Sequence, residues 1–252
     1  SAQEVSVGAV QQRYRSIERF PSGAVFNEET GTLRGGAADV RVPLGSWAFA
    51  VEGMRASGTV DYDGRTQIGL PLQTRTELRH TAYSMLVLSN VWTDVLQLGA
   101  GVGRREIDRR IQPTPPSALY PAGTQGLNER LRSTEWRLAA RVFWPLFPGS
   151  RLSLEGDWLY NTDGRLKADF LGAFDNTTVP LKDWSAWAAR LAWTHRFGPV
   201  QLRAYHEWHR FEPPASGAQP LSINGSDAGA TFTYPGSEQR IRSIGLQIGY
   251  VH

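Results

Sequence analysis

The chain has 252 residues and a formal charge of +3, and it carries no cysteine but 26 glycines, 9 tryptophans and 8 tyrosines. Without cysteine there is no disulfide, thiolate metal site or cysteine nucleophile, and basic residues interspersed among acidic ones provide no basic face for nucleic acid. A mean hydropathy of −0.36 and the lack of any apolar run approaching about 18 residues exclude a membrane-spanning helix, but not a barrel, whose lumen-facing residues keep the mean low.

Along the chain, apolar and polar residues alternate with period two, the signature of strands with one apolar face. The opening Ser1-Ala2-Gln3 passes almost at once into this pattern without a basic and apolar export segment, so a processed, mature form is expected. Trp47, Phe49 and Val51 alternate with Ala48, Ala50 and Glu52, and Leu96, Leu98, Ala100 and Val102 with Gln97, Gly99, Gly101 and Gly103. The clearest stretch sets Trp136, Leu138, Ala140, Val142 and Trp144 against Glu135, Arg137, Ala139 and Arg141. Leu152, Leu154, Gly156, Trp158 and Tyr160 oppose Ser153, Glu155 and Asp157, and Trp187, Ala189, Leu191 and Trp193 oppose Arg190 and Thr194. The chain closes with Ile244, Leu246, Ile248 and Tyr250 against Ser243, Gly245, Gln247 and Gly249.

These patterns predict strands over 4–14, 31–43, 46–59, 75–89, 94–108, 129–145, 150–163, 183–197, 199–212 and 237–251. Their connections alternate between tight turns (Pro43 to Ser46, Ser89 to Asp94, Pro145 to Ser150, Arg196 to Pro199) and long polar loops over 15–30, 60–74, 109–128, 164–182 and 213–236. Such sorting fits a closed, antiparallel, up-and-down transmembrane β-barrel of about ten strands, eight and twelve being the neighbouring even counts, as one domain over 1–252. Both termini and the short turns then lie on the periplasmic side of a bacterial outer membrane, with the long loops outside.

Register across the turns places charge on a single face. Across Pro145 to Ser150, Arg137 and Arg141 come near Asp157 and Glu155; across Pro43 to Ser46, Val42 pairs near Trp47 and Val40 near Phe49, leaving Asp39 and Arg41 on the face of Glu52. Because bilayer-facing charge costs about 2 to 4 kcal/mol near the midplane, that face is the lumen. Expected lumen-lining residues are Arg41, Glu52, Arg105, Glu135, Arg137, Arg141, Glu155, Asp157, Arg190, Arg203, Tyr205 and Glu207. They form either a salt-bridged plug or a narrow charge-lined pore, the glycines at 99, 101 and 103 leaving room for the latter. Aromatics fall into two girdles: Trp47, Trp92, Trp144, Phe197 and Tyr250 by the short turns, and Trp136, Tyr160, Trp187 and Trp208 toward the long loops.

On this pattern the chain resembles the small bacterial outer-membrane barrel proteins as a class. Such proteins usually end in an aromatic, where this chain has His252. The resemblance implies an integral barrel in outer-membrane lipid, acting as a narrow porin-like channel or as a structural or docking component that meets small solutes or envelope proteins through its outer loops.

An outer-surface hydrolase is the alternative. Omptin proteases, which are ten-stranded, use an acidic pair and an Asp-His pair on the outer rim, and the nearest counterparts here are Asp61, Asp63, Glu207 and His209. Glu207 stands where that family has Asp, and the register turns Asp61 and Asp63 outward. No histidine is followed two positions later by serine, as in the lipid-directed barrel hydrolases. His206 and His209, three apart on a strand, face opposite sides, so no metal site is expected, and no phosphate loop or other cofactor motif is present.

Overall fold

The computed structural model describes residues 3–66, 69–93 and 95–252; the opening Ser1-Ala2 and the expected strand start at Asp94 lie outside them. In chain order the strands are β1 (Glu4–Arg19), β2 (Val25–Leu44), β3 (Trp47–Arg65), β4 (Pro71–Trp92), β5 (Leu96–Ile111), β6 (Leu127–Phe147), β7 (Ser150–Asp169), β8 (Thr177–Pro180), β9 (Trp184–Phe197), β10 (Val200–Phe211), β11 (Gln219–Ile223), β12 (Ser226–Phe232) and β13 (Ser237–Val251). Ten of these close into an antiparallel barrel in which each strand pairs with the next, β1 meeting β13 and β6 meeting β7.

The size of the barrel follows from its register. Stepping between paired residues from Glu4 leads through Arg41, Ala50, Leu86, Gly101, Arg137, Leu159, Ala186, Phe211 and Gln239, and arrives back on β1 at Ser16, twelve residues beyond the start. With strands about 4.7 Å apart, that stagger corresponds to a tilt of about 40° and a backbone radius of about 10 Å. Side chains can fill a lumen of that width.

The wall sorts its residues by face. On β13, Ile244, Leu246, Ile248 and Tyr250 point outward and are 54–63% exposed, while Ser243 and Gln247 point inward and are 1–2% exposed. Left in water the outward surface would be an apolar patch all round the molecule; in hydrocarbon the same surface is solvated.

Several boundaries differ from the sequence expectation. The expected loops 15–30 and 60–74 are mostly strand, since β1 and β2, and β3 and β4, run on as hairpins beyond the apolar belt. Polar and charged residues are frequent on both faces of these extensions, although Val60 and Tyr62 still point inward, so hydropathy alternation weakens there while backbone pairing continues. The first tight turn is two residues long, with Gly45 at φ 67°, and pairs Leu44 with Trp47 and Val42 with Phe49. The expected pairing was therefore two residues out, which preserves the face of every side chain. On β7, Asp163 at φ 53° and the following Gly164 interrupt the register opposite Arg132 and Thr134. Alternation shifts by one at this bulge, so Gly164, Leu166 and Ala168 face inward above it. The expected loops 164–182 and 213–236 hold β8 and the β11–β12 hairpin.

Candidate functional site: the lumen and its long-loop mouth

From the short-turn end, the lumen begins with a dense set of ion pairs. Arg137 donates to Asp157 at 2.6 Å and to Glu52 at 3.2 Å, and Arg141 reaches Glu52 at 2.6 Å and Glu155 at 3.7 Å. Arg203 and Arg190 lie 2.5 and 3.4 Å from Glu155, and Arg190 also meets Glu207 at 2.5 Å. The Tyr205 ring takes the space that a side chain at Gly245 would need, and the guanidiniums of Arg190 and Arg203 stand 5.0 and 5.8 Å from its centroid. The room expected beside Gly99, Gly101 and Gly103 is taken by β4: a Cβ at those positions would meet Leu88, Leu86 and Ser84. Cavities left in this part of the lumen amount to about 60 and 70 Å³.

A hydrogen-bonded bar crosses the lumen above this network. Glu135 accepts from Arg105 at 2.5 Å, Arg105 donates to His80 Nε2 at 2.5 Å, and His80 Nδ1 lies 3.0 Å from Gln12 Oε1. Gln12 in turn donates to Ser243 at 3.1 Å. Because Arg105 can only donate, Nε2 is the acceptor and Nδ1 carries the proton that Gln12 receives. His80 is thus a neutral link with both ring nitrogens used.

Next comes an apolar layer. On β5 the inward residues run Arg105, Ile107, Arg109, and Ile107 packs in one cluster with Leu33, Leu78, Leu131, Phe211 and Ile241, each no more than 7% exposed. Above it Arg109 is the hub of a second polar cluster, at 2.9 Å from Glu18, 3.0 Å from Glu29 and 2.7 Å from Glu129. Asn27 donates to Glu18 at 2.5 Å, and Thr76 to Glu29 at 2.6 Å.

Over that floor the barrel opens into a cavity of about 1010 Å³, with Glu18, Tyr62, Arg109 and Glu129 below and Phe20, Phe26, Leu72, Leu127 and Phe232 on its walls. Two long loops clasp each other beside it. Asp175 accepts from the Ser222 hydroxyl at 2.7 Å and from the Gly225 and Asn224 amides at 2.9 and 3.1 Å. The Ser222 hydroxyl foremost, then these amides, hold the Asp175 carboxyl below its ordinary pKa. Phe170 meets Phe232 edge-on at 5.4 Å beneath the clasp.

All twelve expected lumen residues lie on the inward face of their strands. Most join the networks above, while Arg41 lines the cavity at the short-turn end without an ion-pair partner among the described residues. The sequence reading missed Glu18, Glu29 and Arg109, which fall in strand extensions that it had assigned to loops; the one available signal was the continued alternation of Val10, Gln12, Tyr14, Ser16 and Glu18. It also missed the His80 bar.

The residues considered for hydrolysis do not share a site. Asp61 and Asp63 point outward and are exposed, on the opposite side of the wall from Glu207 and His209. Nδ1 of His209 lies 3.3 Å from Glu207, but both face the filled lumen, where Arg190 also holds Glu207, instead of the rim. In register they stand opposite Ser243 and Ile241 of β13, and both line the same small cavity as Arg105, Glu135 and Arg137. His206 faces outward, 4.1 Å from the Trp208 ring.

The expected interface aromatics Trp47, Trp92, Trp136, Trp144, Tyr160, Trp187, Phe197, Trp208 and Tyr250 all stand on the outer face, joined by Tyr83, Trp158 and Trp193. Near the long-loop edge, Trp158 stacks on Tyr160 at 5.9 Å. A closed barrel that is apolar outside, aromatic at both edges of the apolar belt and ion-paired inside defines a small outer-membrane β-barrel protein.

No protein-family model matches the chain, and no curated protein matches it. Among solved structures it is similar to the translocator domain of the autotransporter NalP from Neisseria meningitidis, at 12% identity and a TM-score of 0.48 over 99% of this chain and 88% of that one. The Ralstonia pickettii toluene transporter TbuX gives 11% and 0.41 over 99% and 89%. The β domain of the Bordetella autotransporter BrkA gives 11% and 0.39 over 97% and 98%. Values this low define no family, and the assignment of the fold rests on the strand path itself.

Proposed function

We propose that this barrel is a closed docking component of the outer membrane, holding a ligand or envelope partner at its outer mouth and passing no solute through its lumen. Its termini and short turns face the periplasm, and its long loops face outward. One observation carries the reading: successive polar, apolar and polar layers span the lumen, and the side chains of the apolar layer are almost wholly buried. A hydrated solute path would have to part the Arg105–Glu135 pair and then open the apolar layer against its packing. The outer cavity, by contrast, is large and mostly apolar, at the upper end of the size range of small-molecule sites. Planar-bilayer recording tests the reading: silence is expected at both voltage polarities, and steady unitary currents from the purified barrel would replace it with a narrow channel.

A further inference from the structure

Outward-facing arginines near the long-loop edge of the apolar belt are not spread evenly round the barrel. Six neighbouring strands carry one each: Arg242 on β13, Arg13 on β1, Arg34 on β2, Arg55 on β3, Arg79 on β4 and Arg104 on β5. Register keeps them at one level. Arg13 sits opposite Arg242, Arg34 and Arg79 are both opposite Ser57 on β3, and Arg55 is opposite Thr81, two residues from both Arg79 and Tyr83, the partner of Arg104. On each strand the arginine is the first or second outward residue beyond the apolar ones, directly above Ile244 on β13 and Val102 on β5. The other four wall strands carry tryptophan near that edge, Trp136, Trp158, Trp187 and Trp208, and only β6 and β10 add an outward arginine one or two outward positions beyond it, Arg132 and Arg210, both ion-paired.

A second observation concerns their pairing. Farther out, Arg15, Arg130, Arg132, Arg210 and Arg240 each pair with a carboxylate, while Arg75, Arg110 and Arg165 do not among the described residues. All six arginines of the arc are exposed, and none has an ion-pair partner among the described residues. Even Asp108, paired in register with Arg79, is taken by Arg130. Unpaired guanidiniums at the edge of a hydrocarbon belt need an anion supplied by the surroundings, and the group at that depth in an outer leaflet is the phosphate of a lipid headgroup. Guanidinium also binds phosphate in a bidentate fork, which favours it over other anions there.

We infer that the arc from β13 through β5 is a binding face for a phosphorylated glycolipid of the outer leaflet, with phosphates on Arg34, Arg55 and their neighbours and acyl chains against Val40, Val51 and Met85. The inference rests on the membrane-barrel reading and adds a sidedness to it: lipid is held on one arc, while the tryptophan arc interacts with bulk headgroups. The test is native mass spectrometry of the full-length barrel released from detergent micelles containing bis-phosphorylated lipid A. Retention of the glycolipid is expected. Since a basic residue beside an anionic surface contributes about fivefold each, the triple variant Arg34→Gln, Arg55→Gln, Arg104→Gln should retain it at least tenfold less. Arg210→Gln, on the other arc, should retain it as the parent does, and lipid A stripped of phosphate should be lost from the parent. Equal retention by parent and triple variant, or of phosphorylated and stripped lipid alike, overturns the inference, as does equal retention of phosphatidylglycerol. Heat-modifiable gel mobility, checked on every variant, separates these outcomes from failure of the barrel reading, which would abolish that mobility in the parent too.

Discussion

The two charged clusters of the lumen are built on different plans. Near the short turns, Arg137, Arg141, Arg190 and Arg203 face Glu52, Asp157, Glu155 and Glu207 in a network where Glu52 and Glu155 each meet more than one arginine. Near the long-loop mouth, Arg109 alone holds Glu18, Glu29 and Glu129. In the first cluster Glu52 and Glu155 each have more than one route to neutralisation, whereas every carboxylate of the second depends on Arg109. Redundancy makes a scaffold; a single hub with excess negative charge, lying beneath a large cavity, makes the mouth the sensitive region of the barrel.

Removing the hub gives the largest expected effect. Arg109→Met leaves three carboxylates buried together and should lower unfolding stability by about 3 to 5 kcal/mol, read as the temperature at which heat-modifiable mobility is lost. Adding Glu18→Gln and Glu129→Gln to that variant should recover much of the loss, and a stable single variant would show that the mouth is as redundant as the base. Arg141→Met in the lower network should cost less, about 1 to 3 kcal/mol, because Arg137 continues to serve Glu52, and Arg190 and Arg203 continue to serve Glu155. Equal losses at the two sites would erase the distinction between the clusters.

Between the clusters, His80→Leu removes an acceptor from Arg105 and a donor from Gln12, for an expected loss of about 1 to 2 kcal/mol by the same measurement. The smallest effect is at the rim. Because the folded-state pKa of Asp175 is depressed, its clasp is fully present above the unfolded value of about 3.9 and is lost as pH falls through the lower folded value. Hydrogen exchange at Asn224 and Gly225 should therefore be unchanged from neutral pH down to about pH 4 and quicken below it, after correction for the intrinsic rate, while Asp175→Asn should abolish the step. A step near neutral pH would assign the clasp to another group.

The sequence revealed the barrel wherever lipid and lumen impose opposite demands on neighbouring residues. Trp136 to Trp144 and Ile244 to Tyr250 could be read directly, because one face of those strands meets hydrocarbon and the other meets charge. Above the belt the outward face meets water and the inward face mixes polar with apolar residues, so neighbouring positions no longer contrast. That is why Glu18, Glu29 and Arg109 went unrecognised, although backbone pairing extends through them.

What the sequence determined by itself was the alternation, and with it the face of nearly every side chain, the tight turns and the sign of the lumen. What only the tertiary structure decided was the partners. A stagger of twelve residues around the closed barrel sets residues distant in sequence at one level, bringing His80 to Gln12 and Arg109 to Glu18 and placing the Glu207–His209 pair inside the lumen and not on the rim. Period two fixes inward against outward on each strand, but height along the axis is the sum of every register in the ring, and no single strand carries that information.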